Sequence, residues 1–574
     1  MNWLRACTMN ELEKDRVKVV KGGIAVFLHE DQVFAIDNRC PHMGFPLHMG
    51  SLKNGILTCQ WHHARFDLSS GGTLDPWADD LIKYDVDVQD RIIYVDVSRK
   101  TDDVTTYHLN QLQKGLEQNL SLLIGKGIVG LLTHDTKHVQ DILHAGIRFG
   151  TTSRHAGFGR GLTTLVAMVN VLPKLSLRVQ VQALYQALVM VAEDASNAKP
   201  KRKLSPLTTE VETNERWYDW YTDCINVRDP EGAERILLSA EKTLSKEALS
   251  QLVFRAVTEH YYMGDGHVLD FHNKAFEALE LCDPKYHSDI LASLPIIATN
   301  AERSEEKSRW RAPVDYYELV ESALQEIDST PVNVITSTFD EADFLATLLQ
   351  AQDGSSIDVL KNYYIQGVPL SKLAQIITLA AATRIVHFST QNDFDDWNTV
   401  LHTFSHAHAV HAALLRFEDS TLIRALMHTV VSLSLDSFLN IPAAKRPKPV
   451  RLEDDKLDHF LDLFDTQQPV ETASSWALNY SHQHRDVRPL FATIGEAMLR
   501  EDAKFHTLQM YEAACFEYDK WDKQDVPFAK EAKDTLLIAL TRYVAAHSPT
   551  PRELPRFADI AWRLHRGEKV FEQE

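Results

Sequence analysis

Two kinds of hydrophobic periodicity divide the chain. Up to about residue 98, apolar positions come in short β-branched or aromatic runs: Val17-Lys18-Val19-Val20, Gly23-Ile24-Ala25-Val26-Phe27-Leu28 and Val33-Phe34-Ala35-Ile36. Lys83-Tyr84-Asp85-Val86-Asp87-Val88 and Ile92-Ile93-Tyr94-Val95-Asp96-Val97 alternate, with Gln89-Asp90-Arg91 between them as a hairpin loop. Seven of the 23 glycines fall in this first sixth of the chain, which makes it rich in turns. Beyond Ser98-Arg99-Lys100-Thr101-Asp102-Asp103 the period changes to that of a helix, over 139–149, 162–193, 248–260, 373–386, 397–417 and 530–546. Stretches 196–203, 301–313 and 443–449 read as loops. The pattern predicts a multidomain protein: a small all-β domain over 1–98, a linker over 99–110, and a large all-α domain over 111–574, built as a bundle or in helical-repeat-like fashion. The loop near 196–212 is a candidate division of the helical part into two subdomains. No fixed-period repeat is visible.

Composition narrows the classes. The 574 residues, 44% hydrophobic and 24% charged, suit an ordinary globular chain. Sixty basic against 80 acidic residues leave a net charge of −20, which argues against nucleic acid or an anionic membrane over a large surface and leaves room only for a local basic patch. No run reaches 18 apolar residues, so no membrane span is expected, and the N-terminus lacks the apolar core of a secretion signal. Six cysteines in 574 residues are not a disulfide framework. A cytoplasmic protein is the expectation.

The chemistry is concentrated in Cys40-Pro41-His42 and, after sixteen residues, Cys59-Gln60-Trp61-His62. Each half supplies one thiolate and one imidazole from a tight loop, and two such loops can clamp a [2Fe–2S] cluster with sulfur donors on one iron and nitrogen donors on the other. The competing reading is a Cys2His2 zinc site. Zinc fingers, however, space their ligands as C-x-x-C and H-x-H pairs, and mixed pairs among strands fit that pattern poorly. Asp37-Asn38-Arg39-Cys40-Pro41-His42-Met43-Gly44 and Cys59-Gln60-Trp61-His62-His63-Ala64-Arg65-Phe66-Asp67-Leu68, followed by Gly71-Gly72, resemble Rieske ferredoxins and the Rieske domains of ring-hydroxylating oxygenases. By that resemblance Cys40 and Cys59 ligate one iron, and His42 and His62 the other. His63 departs from the family, which usually has glycine there; a side chain at that place is expected to crowd the loop. Rieske proteins of the cytochrome bc type carry an extra disulfide between the loops. Phe45 stands at one of those positions and Gln60-Trp61 spans the other, so neither is cysteine here, and Ala64 replaces a serine that donates to the cluster. Fewer hydrogen bonds to sulfur imply a potential in the lower part of the Rieske range, roughly −150 mV upward.

The helical part is rich in histidine: 21 of the 26 lie beyond residue 98. A ring-hydroxylating oxygenase catalytic domain would carry D-x-x-H-x-x-x-x-H, and the nearest string, Asp135-Thr136-Lys137-His138 through His144, is one residue too long and lies in helical sequence. That domain is therefore not expected. Two clusters are candidates for a second iron or other metal. In the first, His267 and Asp270 share a helix face. In the second, His402 and His406 are spaced i,i+4, as two imidazoles on one helix need to be to share an ion. A hydrogen-bonded histidine in a helical core is the alternative for each. Gly157-Phe158-Gly159-Arg160-Gly161 opens a helix and offers either an anion site or a simple loop. The stretches Asp265-Gly266-His267 and His402-Thr403-Phe404 give the helical region a resemblance to questin-oxidase-like proteins, from which no residue role is taken.

The expected function is an iron–sulfur oxidoreductase. An external electron donor, a reductase or ferredoxin, charges the Rieske cluster, which feeds an oxygen-dependent site in the helical domain acting on a small organic substrate. The alternative is a non-catalytic electron carrier or redox sensor whose helical domain docks a partner.

Overall fold

The computed structural model describes residues 2–21, 23–75, 77–98, 104–153, 156–196, 198–202, 204–208, 213–332, 339–351, 353–568 and 570. They form two compact units, Met1–Asp141 with Arg556–Glu574, and Ile142–Pro555.

The first unit is built on three small antiparallel sheets. Strands β1 (Trp3–Thr8), β2 (Val17–Val20), β3 (Ile24–His29), β4 (Gln32–Asp37), β5 (Ser51–Lys53), β6 (Ile56–Thr58), β7 (Arg65–Asp67), β8 (Lys83–Tyr84), β9 (Val86–Gln89) and β10 (Ile92–Asp96) pair as β1-β10-β9, β2-β3-β4-β8 and β5-β6-β7. The apolar run in β3 has a direct explanation. Ala25 and Phe27 point into one core with Ile36, Leu57 and Phe66, while Ile24, Val26 and Leu28 point into another with Leu12, Ile93 and Val95. A strand covered on both faces has no polar face to alternate with. The β3–β4 and β9–β10 connections turn on Glu30-Asp31 and Asp90-Arg91, all four at positive φ, which is the two-residue hairpin geometry. The 83–88 run, predicted as one strand, breaks at Asp85: β8 pairs with β4 and β9 with β10, in different sheets.

Helix α1 (Met9–Asp15) starts in a capping box between Thr8 and Glu11. Helices α2 (Val104–Glu117) and α3 (Ser121–His134) pack as a hairpin in this same unit. The predicted linker 99–110 is thus partly helix: α2 begins at Val104, and 99–103 lie outside the described residues. The boundary pattern reading missed is set by burial, because Leu112, Leu116, Leu123 and Ile124 close the hairpin.

The second unit is helical. Among its helices are α4 (Arg160–Val171), α5 (Leu177–Ser196), α6 (His267–Leu281), α7 (Leu370–Val386), α8 (Asp396–Arg416), α9 (Ile423–Leu435), α10 (Phe505–Asp522) and α11 (Pro527–Ala546). Pairs α4–α5, α7–α8, α6–α8, α10–α11 and α4–α10 pack side by side. The stretch 162–193, predicted as one helix, is two: Pro173 has no N–H to continue the ladder, and α4 gives way to a single tight turn before α5. Every α7 residue from Leu373 to Val386 is buried, so this helix is central and needs no polar face. One stretch among the described residues, Ser420–Asn440, is long and apolar enough to cross a membrane by length and composition; 78% of its 18-residue apolar window is buried inside the unit.

Candidate metal centres

The first centre lies at the tips of two loops, one following β4 and one joining β6 to β7, and the loops repeat each other. In one, the Cys40 N–H donates to the Phe45 carbonyl at 2.8 Å and the Gly44 N–H to the Cys40 carbonyl at 2.7 Å. In the other, the Cys59 N–H donates to the Ala64 carbonyl at 2.8 Å and the His63 N–H to the Cys59 carbonyl at 3.1 Å. The residue closing each turn is left-handed, Gly44 at φ +80° and His63 at φ +61°. His63 therefore does occupy a glycine-like conformation, but its side chain is exposed and does not fill the loop interior. Behind the second loop, the Arg65 backbone and guanidinium both donate to Asp75, at 2.7 to 3.2 Å, tying β7 to the chain that follows.

Cys40 and Cys59 are buried, unbridged, and hydrogen-bonded to each other. The hydrogen bond from Cys40, helped by the Trp61 and His62 amides, holds the Cys59 thiol down to about 6, while the hydrogen bond to Cys59 and then burial push Cys40 up. The His42 and His62 rings meet edge to face at 4.8 Å between centroids, and Trp77 covers His42 at 4.7 Å. Burial first, then His62 and Lys126, lower the His42 pKa to about 4, so the ring is neutral at pH 7. Its Nδ1 is buried with no hydrogen-bond partner. Two buried thiols and a neutral imidazole with an unused nitrogen, converging with a second imidazole, fit a cluster with mixed sulfur and nitrogen donors; Cys40, His42, Cys59 and His62 would hold it.

The second centre lies in the helical unit. His267 at the start of α6, His402 on α8 and His506 at the start of α10 bring their Nε2 atoms together: 3.0 Å for His402–His506 and 3.3 Å for His506–His267. An ion bound at about 2.0–2.1 Å to each of three nitrogens, with angles between octahedral and tetrahedral, needs nitrogens about 2.8–3.4 Å apart. Burial lowers His402 to about 4 and His506 to about 3, and takes His267 well below its ordinary value, so all three offer neutral nitrogen.

Of the four sequence candidates here, His267 and His402 converge, and Asp270 and His406 lie outside this group. Asp270, fully buried with its pKa raised by burial to about 7, accepts from the Gln509 amide. His406 directs Nδ1 to the Thr429 hydroxyl at 2.9 Å. The i,i+4 pair thus splits between two neighbouring helices. His506 was not singled out in the sequence: it stands 104 residues from His402 with no histidine at helical spacing beside it. The glycine-rich start of α4 is already supplied with an anion, since Asp194 accepts from the Gly161 N–H at 2.7 Å. His138 pairs with Asp141 at 2.7 Å, and His144 accepts from the Asp283 N–H at 3.3 Å.

A small three-sheet β domain whose twin hairpin tips present Cys-x-His and Cys-x-x-His is an iron–sulfur domain of the Rieske type. Residues 2–85 match the Rieske [2Fe-2S] domain family, and this segment is a Rieske domain that implies a [2Fe–2S] cluster and electron transfer. The 3-phenylpropionate/cinnamic acid dioxygenase ferredoxin subunit of Photorhabdus laumondii is 36% identical over 104 residues, 17% of this chain and 99% of that protein. Human apoptosis-inducing factor 3 is 27% identical over 169 residues, covering 27% of this chain, and the chain spans only 27% of its length. Among solved structures, the ferredoxin of carbazole 1,9a-dioxygenase from Nocardioides aromaticivorans IC177 is 28% identical, covers 17% of this chain and 97% of its own, and has a TM-score of 0.16.

Proposed function

We propose that the protein is an oxygenase component in which Cys40, His42, Cys59 and His62 hold the [2Fe–2S] cluster, and a metal ion, read here as iron, sits on His267, His402 and His506. The cluster supplies one electron at a time, received from an external donor. The observation that carries the reading is the Nε2 triangle, whose two measured edges match an ion's requirement and whose nitrogens are neutral. Imidazole suits iron, copper, zinc and nickel. The redox domain carried by the same chain favours iron.

Space for a small organic substrate adjoins the triad. A cavity of about 490 Å³ reaches His267 past Val268, Phe271, Ile296 and Ile297. A second, of about 320 Å³, reaches His402 past Tyr262, Asp265, Arg309 and Asp436. The first combines those apolar side chains with Lys199 and Asn300, and the second offers donors and acceptors on Tyr262, Asp265, Arg309 and Asp436. A molecule with an apolar body and an oxygen-bearing edge suits such a pair.

The test is metal and acid-labile sulfide analysis of the anaerobically reconstituted chain. Two sulfide-matched irons plus one further metal, lost in His506→Ala, support the reading. Two irons alone would leave an electron carrier.

A further inference from the structure

We propose that Lys126, on α3, raises the reduction potential of the cluster by holding a positive charge against the loop that bears Cys40 and His42, with Asp79 as its tuning counter-charge; this rests on the reading that Cys40, His42, Cys59 and His62 hold the cluster.

The Lys126 side chain is buried in the first unit, 11% exposed. Its ammonium donates to the carbonyl of Pro41 and, at 3.1 Å, to that of His42. Those carbonyls belong to Pro41, which lies between Cys40 and His42, and to His42 itself, so the charge is fastened to the backbone that carries the first ligand pair. Asp79, 9% exposed, lies behind it at 3.6 Å and itself accepts from the Gln111 amide of α2 at 2.5 Å. The lysine, the carboxylate and the amide thus form a chain leading from the α2–α3 hairpin to the loop, and the cation is the member that bonds the loop backbone. Burial lowers the Lys126 pKa, and Asp79 and Cys40 oppose that.

The sign follows from charge. Reduction adds one electron to the cluster and makes it one unit more negative. A cation held in a water-poor setting favours that state over the oxidised one, and an anion disfavours it. Lys126 and Asp79 therefore act in opposite directions. Lysine is the one whose charged group is bonded to the loop, and on that ground its sign is the one assigned to the net effect. The Rieske family match ends at residue 85, before α3 begins at Ser121. The charge comes from an element that the cluster-binding domain does not contain, so this chain sets its potential with its own helical hairpin.

The experiment is a mediated redox titration of the full-length protein, followed by the EPR signal of the reduced cluster at constant pH. Lys126→Met is expected to lower the reduced-to-oxidised ratio at fixed ambient potential about tenfold, equivalent to about 59 mV for one electron. Lys126→Arg should stay near the unaltered protein, and Asp79→Asn should move the midpoint the other way. A role limited to packing would give no such opposed pair. Equal midpoints in Lys126→Met and the unaltered protein, or shifts of one sign in Lys126→Met and Asp79→Asn, overturn the proposal. If Lys126→Met does not assemble a cluster, Asp79→Asn decides alone, and an unmoved midpoint overturns it. Absence of the reduced-cluster signal from the unaltered protein is a separate result: it removes the cluster reading itself, and this proposal with it.

Discussion

His63 holds a left-handed backbone, φ +61°, where its counterpart in the first loop is Gly44. For an L-residue that conformation costs roughly 1–2 kcal/mol, whereas glycine loses about 0.5–1 kcal/mol more entropy on folding. His63→Gly should therefore stabilise the domain by a few tenths to about 1 kcal/mol, read as a later urea midpoint; a lower midpoint would show that the imidazole makes a compensating contact. A second residue-scale effect concerns pH. Burial pulls fully buried His272 down to about 4, against an unfolded value of about 6.5. Its folded pKa lies below its unfolded one, so its contribution is complete above pH 6.5 and is lost as pH falls towards 4. From pH 7.5 to pH 5 the intact protein should lose about 2 kcal/mol more than His272→Gln. Equal losses in urea unfolding at the two pH values would refute this.

At the scale of elements, the triad depends on how α6 begins. Tyr262, Gly264, Asp265 and Gly266 all lie at positive φ, and this tight turn delivers His267 as the first residue of the helix. At Gly266, φ +93°, an added Cβ would stand 3.0 Å from the Tyr262 ring and 3.1 Å from His406 Cβ. Gly266→Ala should cost about 2 kcal/mol by backbone strain alone and should weaken cobalt(II) binding at the triad, while the cluster's visible absorbance stays unchanged. Retained cobalt affinity would mean that the turn does not aim His267. The same turn shows why periodicity reading stopped short here. Asp270 is one turn along the face of His267, as the sequence implied, yet its carboxylate faces Gln509 because α10 packs there.

For the whole molecule, the two centres belong to different compact units, so they should load independently. Cys40→Ser should abolish the cluster's EPR signal and leave the triad's metal; His506→Ala should do the reverse. Loss of both metals from either variant would show that the units fold as one cooperative body.

Local chemistry was legible in the sequence. Two Cys/His pairs, each within a single loop, declare themselves because ligands two or three residues apart stay together wherever the loop goes. The change from strand period to helix period near residue 98 likewise reports which face of each element is buried. The packing of helices alone decided that His506 joins His267 and His402 while His406 turns to Thr429, and that Lys126 reaches the Pro41 and His42 carbonyls. Such partners lie tens to hundreds of residues apart, and periodicity records that a side chain is inside without recording what it meets there.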